Sequence, residues 1–407
     1  VTNEAAVPIN NSILKWAREE AGFSLVEAAT KAKISELKPR GKFLGLKPWE
    51  RLKQWEEGVE SPSLNQLKQV AKAYRRPILT FFLQKEPQNE SFLRDFRTVG
   101  ERPVSYLKSP EFAALVRRIE ALQKHTKMLL EERQHERVPF VGSINTDEDM
   151  SSAVDKIRKA LNFPFDDQQR ISNKNVLLGA LRERAEGAGV FIIFEGNLGS
   201  WHTDISPDVF RGLVISDDTA PFIVINPNDS KAAQVFTLAH ELVHLWLGDN
   251  GVSNFDSLHI NREGVQEREK YCNGVAAEFL VPKRWLILAW KNKLEEDLNK
   301  NIKSLSAKFK VSEICIARRL VDLRLISKET YWEQYALYIA RLKALRQKQR
   351  ESETGPDPTI LKRYKLGTKL IHTIGDATEE GRISELEASQ LLNIKIDSFH
   401  YIYHSAA

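Results

Sequence analysis

Residues 236–248 read FTLAHELVHLWLG, from Phe236 to Gly248, and the rest of the chain is best read outward from them. His240 and His244 are four apart, so on a helix they share one face with Cβ atoms about 5–6 Å apart. Two imidazoles at that separation can share one zinc ion. Glu241 stands one position along and cannot ligate comfortably beside them. It projects toward the open coordination position, where a carboxylate can take a proton from an activated water. Thr237, Leu238, Leu242, Val243, Leu245 and Trp246 surround this polar trio. Burying such a helix with the trio unpartnered would be costly, so the pattern points to chemistry rather than packing. The helix is expected to start after Asn228-Asp229-Ser230.

Zinc needs a third protein ligand. Metzincins place a third histidine six residues beyond the second and use a methionine turn; here that position is Asn250, and both methionines, Met128 and Met150, lie upstream. The remaining solution is a carboxylate from a downstream helix, as in His₂Glu sites. Asp249, Asp256, Glu263, Glu267, Glu269 and Glu278 are candidates, with His259 as a nitrogen alternative. From Val265 the chain has helical periodicity through Cys272, Val275, Ala276 and Phe279 and stops at Pro282. Glu269 shares that inward stripe, whereas Glu278 falls off it and Glu263 precedes it. Small Gly274, Ala276 and Ala277 allow a close approach to the HELVH helix. Glu269 is therefore the expected third ligand and Glu241 the expected catalytic base.

Upstream, the apolar period shortens. Val190–Phe194, Phe210–Ile215 and Phe222–Asn226 are short β-branched or aromatic runs bounded by Gly, Pro and Asp, and they read as strands of one small sheet. The last of them is a candidate to hold an extended substrate by main-chain pairing. Helices are expected over Ser109–Glu136, Ser152–Leu161 and Asn173–Ala188.

The net charge of +5 is localised, because between Glu36 and Arg76 ten Lys or Arg stand against five Asp or Glu. A basic surface of this kind suits phosphate contact. Around it the pattern is helical: Ile13, Leu14, Ala17 and Ala21 share a face, Gly22 stops that helix, and Ser24 can cap the next. A basic insert from Glu36 to Lys47, including Lys38, Pro39, Arg40, Gly41 and Lys42, precedes Pro48, Trp49, Leu52 and Trp55. Ser61-Pro62-Ser63 then opens a helix carrying Leu64, Leu67, Val70, Ala71 and Tyr74. The segments ILKWAREEAGFS, WEEGVESPSLNQLKQVAKAY and RRPILTFFL resemble the helix-turn-helix module of the XRE family of repressors. That resemblance implies a third helix in the major groove of double-stranded DNA, with Arg51, Lys53 and Gln54 near bases. The insert departs from the family pattern. A module kept for protein recognition is the alternative.

At 407 residues the chain exceeds what one core usually organises, so several domains are expected. A hydrophobic content of 42% beside 28% charged residues, with no uninterrupted apolar stretch of spanning length, argues against a membrane protein. Cys272 and Cys315 alone suit a reducing compartment. Glu4, Asn10 and Asn11 interrupt any signal-like apolar run, so the expectation is cytoplasmic. Glu86-Pro87-Gln88-Asn89 and residues 351–358 read as linkers, and residues 91–104 as extended or irregular. Residues 304–327 repeat a helix-turn-helix-like pattern, read as core packing beside the catalytic region. His372, His400 and His404 near the end are assigned no metal.

FTLAHELVHLWLG followed by EKYCNGVAAEFLVP resembles the ImmA/IrrE family of zinc metallopeptidases, whose pattern is HExxH and then a Glu three residues before Ala-Asn in a helix ending Leu-x-Pro. Cys272 stands where that alanine is common. The similarity extends to FRGLVISDDTAPFIVIN and SLSAKFKVSEICIARRLVDLRLIS. It implies a minimal thermolysin-like fold, zinc or a related divalent metal as cofactor, and limited cleavage of a partner transcriptional repressor in stress response or mobile-element and phage regulation. The expected architecture is α+β and mostly helical. Residues 1–85 form a helix-turn-helix bundle, and residues 91–300 a zincin-like peptidase domain with a small β-sheet and a zinc-binding core over about 189–282. Residues 301–350 form a helical subdomain, and 358–407 a C-terminal helical unit. The second function class is a DNA-binding regulator whose peptidase-like domain senses a metal or partner. Oligomeric state is not readable from the sequence.

Overall fold

Asn10, Ser24 and Ser63 begin three of the N-terminal helices by accepting from backbone amides that have no partner inside the helix. The computed structural model describes residues 8–37, 45–87, 109–199, 201–253, 265–291, 298–349 and 357–405. It resolves into two units, Val1–Ala121 with Asn197–Ile205, and Leu122–Gly196 with Ser206–Ala407. Among the described residues no helix is long and apolar enough to cross a membrane.

The first unit opens with α1 (Asn11–Glu20), α2 (Leu25–Lys31), α3 (Pro48–Glu57) and α4 (Leu64–Ala73), followed by a 3₁₀ turn at Ile78–Phe82. Reciprocal capping boxes, Ser24 with Glu27 and Ser63 with Gln66, fix two of these starts. Leu14, Ala17, Leu52, Trp55, Leu67, Val70, Tyr74 and Phe81 form the buried centre. A near-buried pair, Arg18 Nε to Glu56 Oε1 at 2.7 Å, ties α1 to α3. Leu37 and Leu46 form an antiparallel bridge, so the two ends of the basic insert meet. Lys38, Pro39, Arg40, Gly41 and Lys42 lie outside the described residues, as do residues 91–104.

Helix α5 (Pro110–Glu132) follows; its predicted extension to Glu136 is cut short where Gln134 adopts φ 52°. Then come α6 (Met150–Ala160), α7 (Phe165–Arg170), α8 (Lys174–Gly187), β1 (Phe191–Phe194), β2 (Gly212–Ile215) and β3 (Phe222–Ile225). The helix that carries HELVH, α9 (Lys231–Leu247), leads into β4 (Gly251–Ser253) and α10 (Val265–Leu280). Eight more helices follow among the described residues: α11 (Lys283–Lys291), α12 (Leu298–Phe309), α13 (Glu313–Asp322), α14 (Lys328–Gln349), α15 (Pro358–Leu366), α16 (Thr368–Glu379), α17 (Glu385–Leu392) and α18 (Phe399–His404).

Among the described residues the strands form one four-stranded sheet in the order β1-β3-β2-β4. β1 runs parallel to β3, with Phe191 opposite Phe222; β2 is antiparallel to β3 and to β4, with Gly212 opposite Ile225 and Ser253. β1, β2 and β3 are buried at every residue, which is why they read as unbroken apolar runs. Because β3 is paired on both sides, Phe222–Ile225 has no free edge. The expectation that this strand holds a substrate is corrected accordingly. β1, at one end of the sheet, is covered by α15: Arg182 Nη2 donates to Ile192 O at 2.7 Å while Nη1 binds Tyr364 O, and Lys362 and Lys365 flank the buried Glu195.

Two helix ends are held by side chains and by a strap. The free carbonyls at the end of α10 are taken by Arg158 at Phe279 O, by Gln168 Nε2 at Leu280 O (2.8 Å) and by Arg319 Nε at Val281 O (3.2 Å). Such carbonyls have no partner inside a helix, and burial would leave them costly without these donors. At the end of α9, Gly142 N and Ile144 N donate to Leu245 O (3.2 Å) and Trp246 O (3.1 Å), and Phe140 stacks on Trp246 at 3.9 Å. Both helices that meet at the site are thus anchored at their C-termini.

Candidate metal centre

Ser230 starts α9 by accepting from Ala233 N, and Gly248 ends it in the left-handed region at φ 72°. Every residue from Thr237 to Leu247 is buried. Within that run His240 and His244 turn their rings toward each other, with the two Nε2 atoms 2.8 Å apart. Glu269, from the first half of α10, completes the group: Oε2 lies 3.5 Å from His240 Nε2 and Oε1 3.2 Å from His244 Nε2. One donor atom from each of the three residues falls within 4.8 Å of the others.

The other candidates are placed elsewhere. Asp249 Oδ2 sits 3.4 Å from His244 Nδ1, the outer ring nitrogen, and so backs that histidine rather than sharing its Nε2. Glu278 is engaged by Arg319 and by Lys283 N. Glu267 is exposed. Asp256, His259 and Glu263 lie outside the described residues.

The three groups shift one another's protonation. Burial, reinforced by the neighbouring His244, pushes His240 down to about 4. Burial also opposes charge on His244, but Cys272, Asp249 and Glu269 outweigh it and raise this histidine well above its ordinary value. Burial opposes the charged form of Glu269 too, yet the two imidazoles hold its carboxyl well below the usual carboxylate range. Two ring nitrogens and a carboxylate facing one another make the donor set of a His₂Glu metal site. Nitrogens and oxygens bound at about 2.0–2.2 Å to one tetrahedral ion stand roughly 3.3 Å apart. The 3.2 and 3.5 Å separations to Glu269 are close to that, the 2.8 Å between the two Nε2 atoms is tighter, and the donor set suits zinc or a related divalent cation.

Glu241, one residue along from His240, is fully buried. Its carboxylate lies against Gly212 of β2. A Cβ at that position would fall 2.6 Å from Glu241 Cδ and 2.7 Å from Thr237 Cγ2, and closer still to Glu241 Oε1. Gly212 is absent from the residues picked out by sequence. Its signal was a glycine heading an apolar strand run, a placement that often marks close approach of another group. Arg268 and Asp249 were likewise not paired by sequence reasoning; Arg268 Nε donates to Asp249 Oδ2 at 2.6 Å.

Arg51, Lys53 and Gln54 lie on α3 of the other unit. Arg51 is drawn back, its guanidinium 5.4 Å above the Trp55 ring and Nη1 3.4 Å from Ser35 O. Lys53 is exposed and reaches Glu57 at 3.6 Å. Gln54 is half-buried, and its backbone carbonyl accepts from Val59.

No curated protein matches the chain. Residues 185–321, which hold Gly212, both histidines, Glu241 and Glu269, match the Peptidase_M78 family model, described as the IrrE N-terminal-like domain.

Proposed function

We propose that the protein is a zinc-dependent endopeptidase, with His240, His244 and Glu269 as metal ligands and Glu241 as general base. The observation that carries this is the convergence of those three donors, two of them flanking Glu241 in the sequence of α9, inside the segment matched by a metallopeptidase family. A bound divalent cation would supply Lewis-acid polarisation of a peptide carbonyl and acidify a water. Glu241 takes the proton of the attacking water and returns it to the leaving amine. Gly212 leaves the space in which that carboxylate lies. Glu269 contributes the negative charge that offsets part of the cation's charge in a buried site.

The substrate class follows the ImmA/IrrE resemblance: a transcriptional repressor, cut at a specific site in stress response or in mobile-element and phage regulation, in the cytoplasm. An extended substrate would pair with β4, the terminal strand on the side of the sheet where Gly212 meets Glu241. For the N-terminal unit we propose contact with double-stranded DNA through α3, supported by its exposed Lys53 and by the closed base of the insert. The test of the metal reading is zinc stoichiometry in the full chain. One zinc per chain, lost in His240→Ala and in Glu269→Ala, supports it; equal zinc content in all three removes it.

A further inference from the structure

The two helices that meet at the cluster are joined a second time, behind it. Asp249 directly follows Gly248, and its backbone is fixed: its N donates to His244 O at 2.9 Å, and its carbonyl accepts from Ser216 Oγ at 2.5 Å. The next side chain, Asn250, accepts from Ser216 N at 2.7 Å. The Asp249 carboxylate is therefore presented from a rigid turn tied to the end of β2. Its Oδ2 lies 3.4 Å from His244 Nδ1, the nitrogen facing away from Glu269. The same carboxylate receives Arg268 through Nε at 2.6 Å and Nη2 at 2.5 Å, a two-point contact. Arg268 immediately precedes Glu269 on α10. The chain His244–Asp249–Arg268–Glu269 thus returns to its own start.

We propose that the Arg268–Asp249 ion pair is a latch that closes the third ligand onto the histidine pair, making both residues positioning residues of the metal centre. This rests on the reading of the cluster as a metal site. Of the two groups against His244 Nδ1, Asp249 Oδ2 at 3.4 Å and Cys272 Sγ at 3.6 Å, the carboxylate is the stronger acceptor for its proton, which leaves the lone pair of Nε2 for a cation on the side of His240 and Glu269 and fixes the ring. Arg268 pins the turn of α10 that carries Glu269 to that same anchor. Asp249 is partly buried and Arg268 is 51% exposed. Exposed ion pairs add little to folding stability. A carboxylate on the outer nitrogen of a ligating histidine, by contrast, typically changes metal affinity about 10–100-fold. The latch therefore acts on affinity and leaves the fold nearly untouched, and the two effects can be read apart.

The experiment is zinc affinity of the full chain by competition with a chromophoric chelator, alongside the melting temperature of the metal-free protein. Asp249→Ala and Arg268→Ala are each expected to weaken zinc binding about 10–100-fold while metal-free melting moves by no more than a few degrees. Arg268→Lys is expected to recover part of the loss, and the double variant to bind no more weakly than Asp249→Ala alone. Zinc affinity unchanged in both single variants overturns the latch, as does a loss of affinity accompanied by collapse of the metal-free fold. His240→Ala in the same assay separates the two levels. If it binds zinc as the parent does, the metal reading fails; if it abolishes binding while Arg268→Ala leaves it intact, only the latch fails.

Discussion

The carboxylate of Glu241 lies directly on the backbone of Gly212, so close that a Cβ there would stand 2.6 Å from Glu241 Cδ. The glycine in β2 serves space here rather than backbone conformation, since a side chain would have to displace the very group assigned to move protons. Gly212→Ala is expected to lower the rate of peptide cleavage about 10²-fold, as misplacement of a catalytic group by about 1 Å does. Zinc content should remain near that of the parent, while overpacking of the buried strand lowers the melting temperature by a few degrees. Unchanged turnover would show that the carboxylate can shift without loss.

The end of α10 gives a stability prediction. Arg158 donates to Phe279 O and Phe163 O, and its guanidinium lies 4.4 Å above the Phe279 ring. Truncation leaves buried carbonyls without donors. Arg158→Ala is expected to destabilise the chain by about 2–3 kcal/mol in denaturant unfolding. A loss below about 0.5 kcal/mol would mean water replaces the guanidinium at no cost.

Acid stability has an identifiable contributor in Asp217, whose Oδ2 accepts from Lys127 Nζ at 2.7 Å and whose Oδ1 accepts from Thr219 N and Ala220 N. Burial opposes its charge, but these donors win and hold its carboxyl below the ordinary 3.8. A depressed folded-state value means the contribution is full above pH 3.8 and is lost as pH falls through the folded-state value. Lys127→Met should cost about 1 kcal/mol at neutral pH, and its unfolding curve should converge with the parent's in acid. A gap constant with pH would place the effect in packing instead.

The proposed contact of α3 with DNA would rest on Lys53 more than on Arg51, which is held over Trp55. Lys53→Glu is expected to weaken duplex binding in a gel shift and to reduce its salt dependence. Equal binding by parent and variant across salt would count against DNA contact through this helix.

Much of the site could be read from sequence because its signals are local. The four-residue spacing of His240 and His244 and the helical stripe through Glu269, Cys272 and Ala276 need only one helix each to be interpreted, and the three donors do converge. The apolar runs of β1, β2 and β3 were also visible, although Val190, Phe210 and Asn226 fall outside the strands. What was not visible depends on partners distant in the chain. β4 is Gly251-Val252-Ser253, with no apolar run of its own, and it exists because β2 offers an edge. β3 looked like a substrate strand until the order of the sheet put it inside. Asp249 stood among the candidate ligands, but only the fold shows it behind His244.

The most direct measurement of the central claim is a comparison of Glu241→Gln with the parent, following zinc content and proteolysis of a candidate repressor together. The account predicts full zinc retention with cleavage reduced about 10²–10⁴-fold, the usual contribution of a positioned proton carrier. Cleavage at the parent rate by a zinc-loaded Glu241→Gln chain would contradict it.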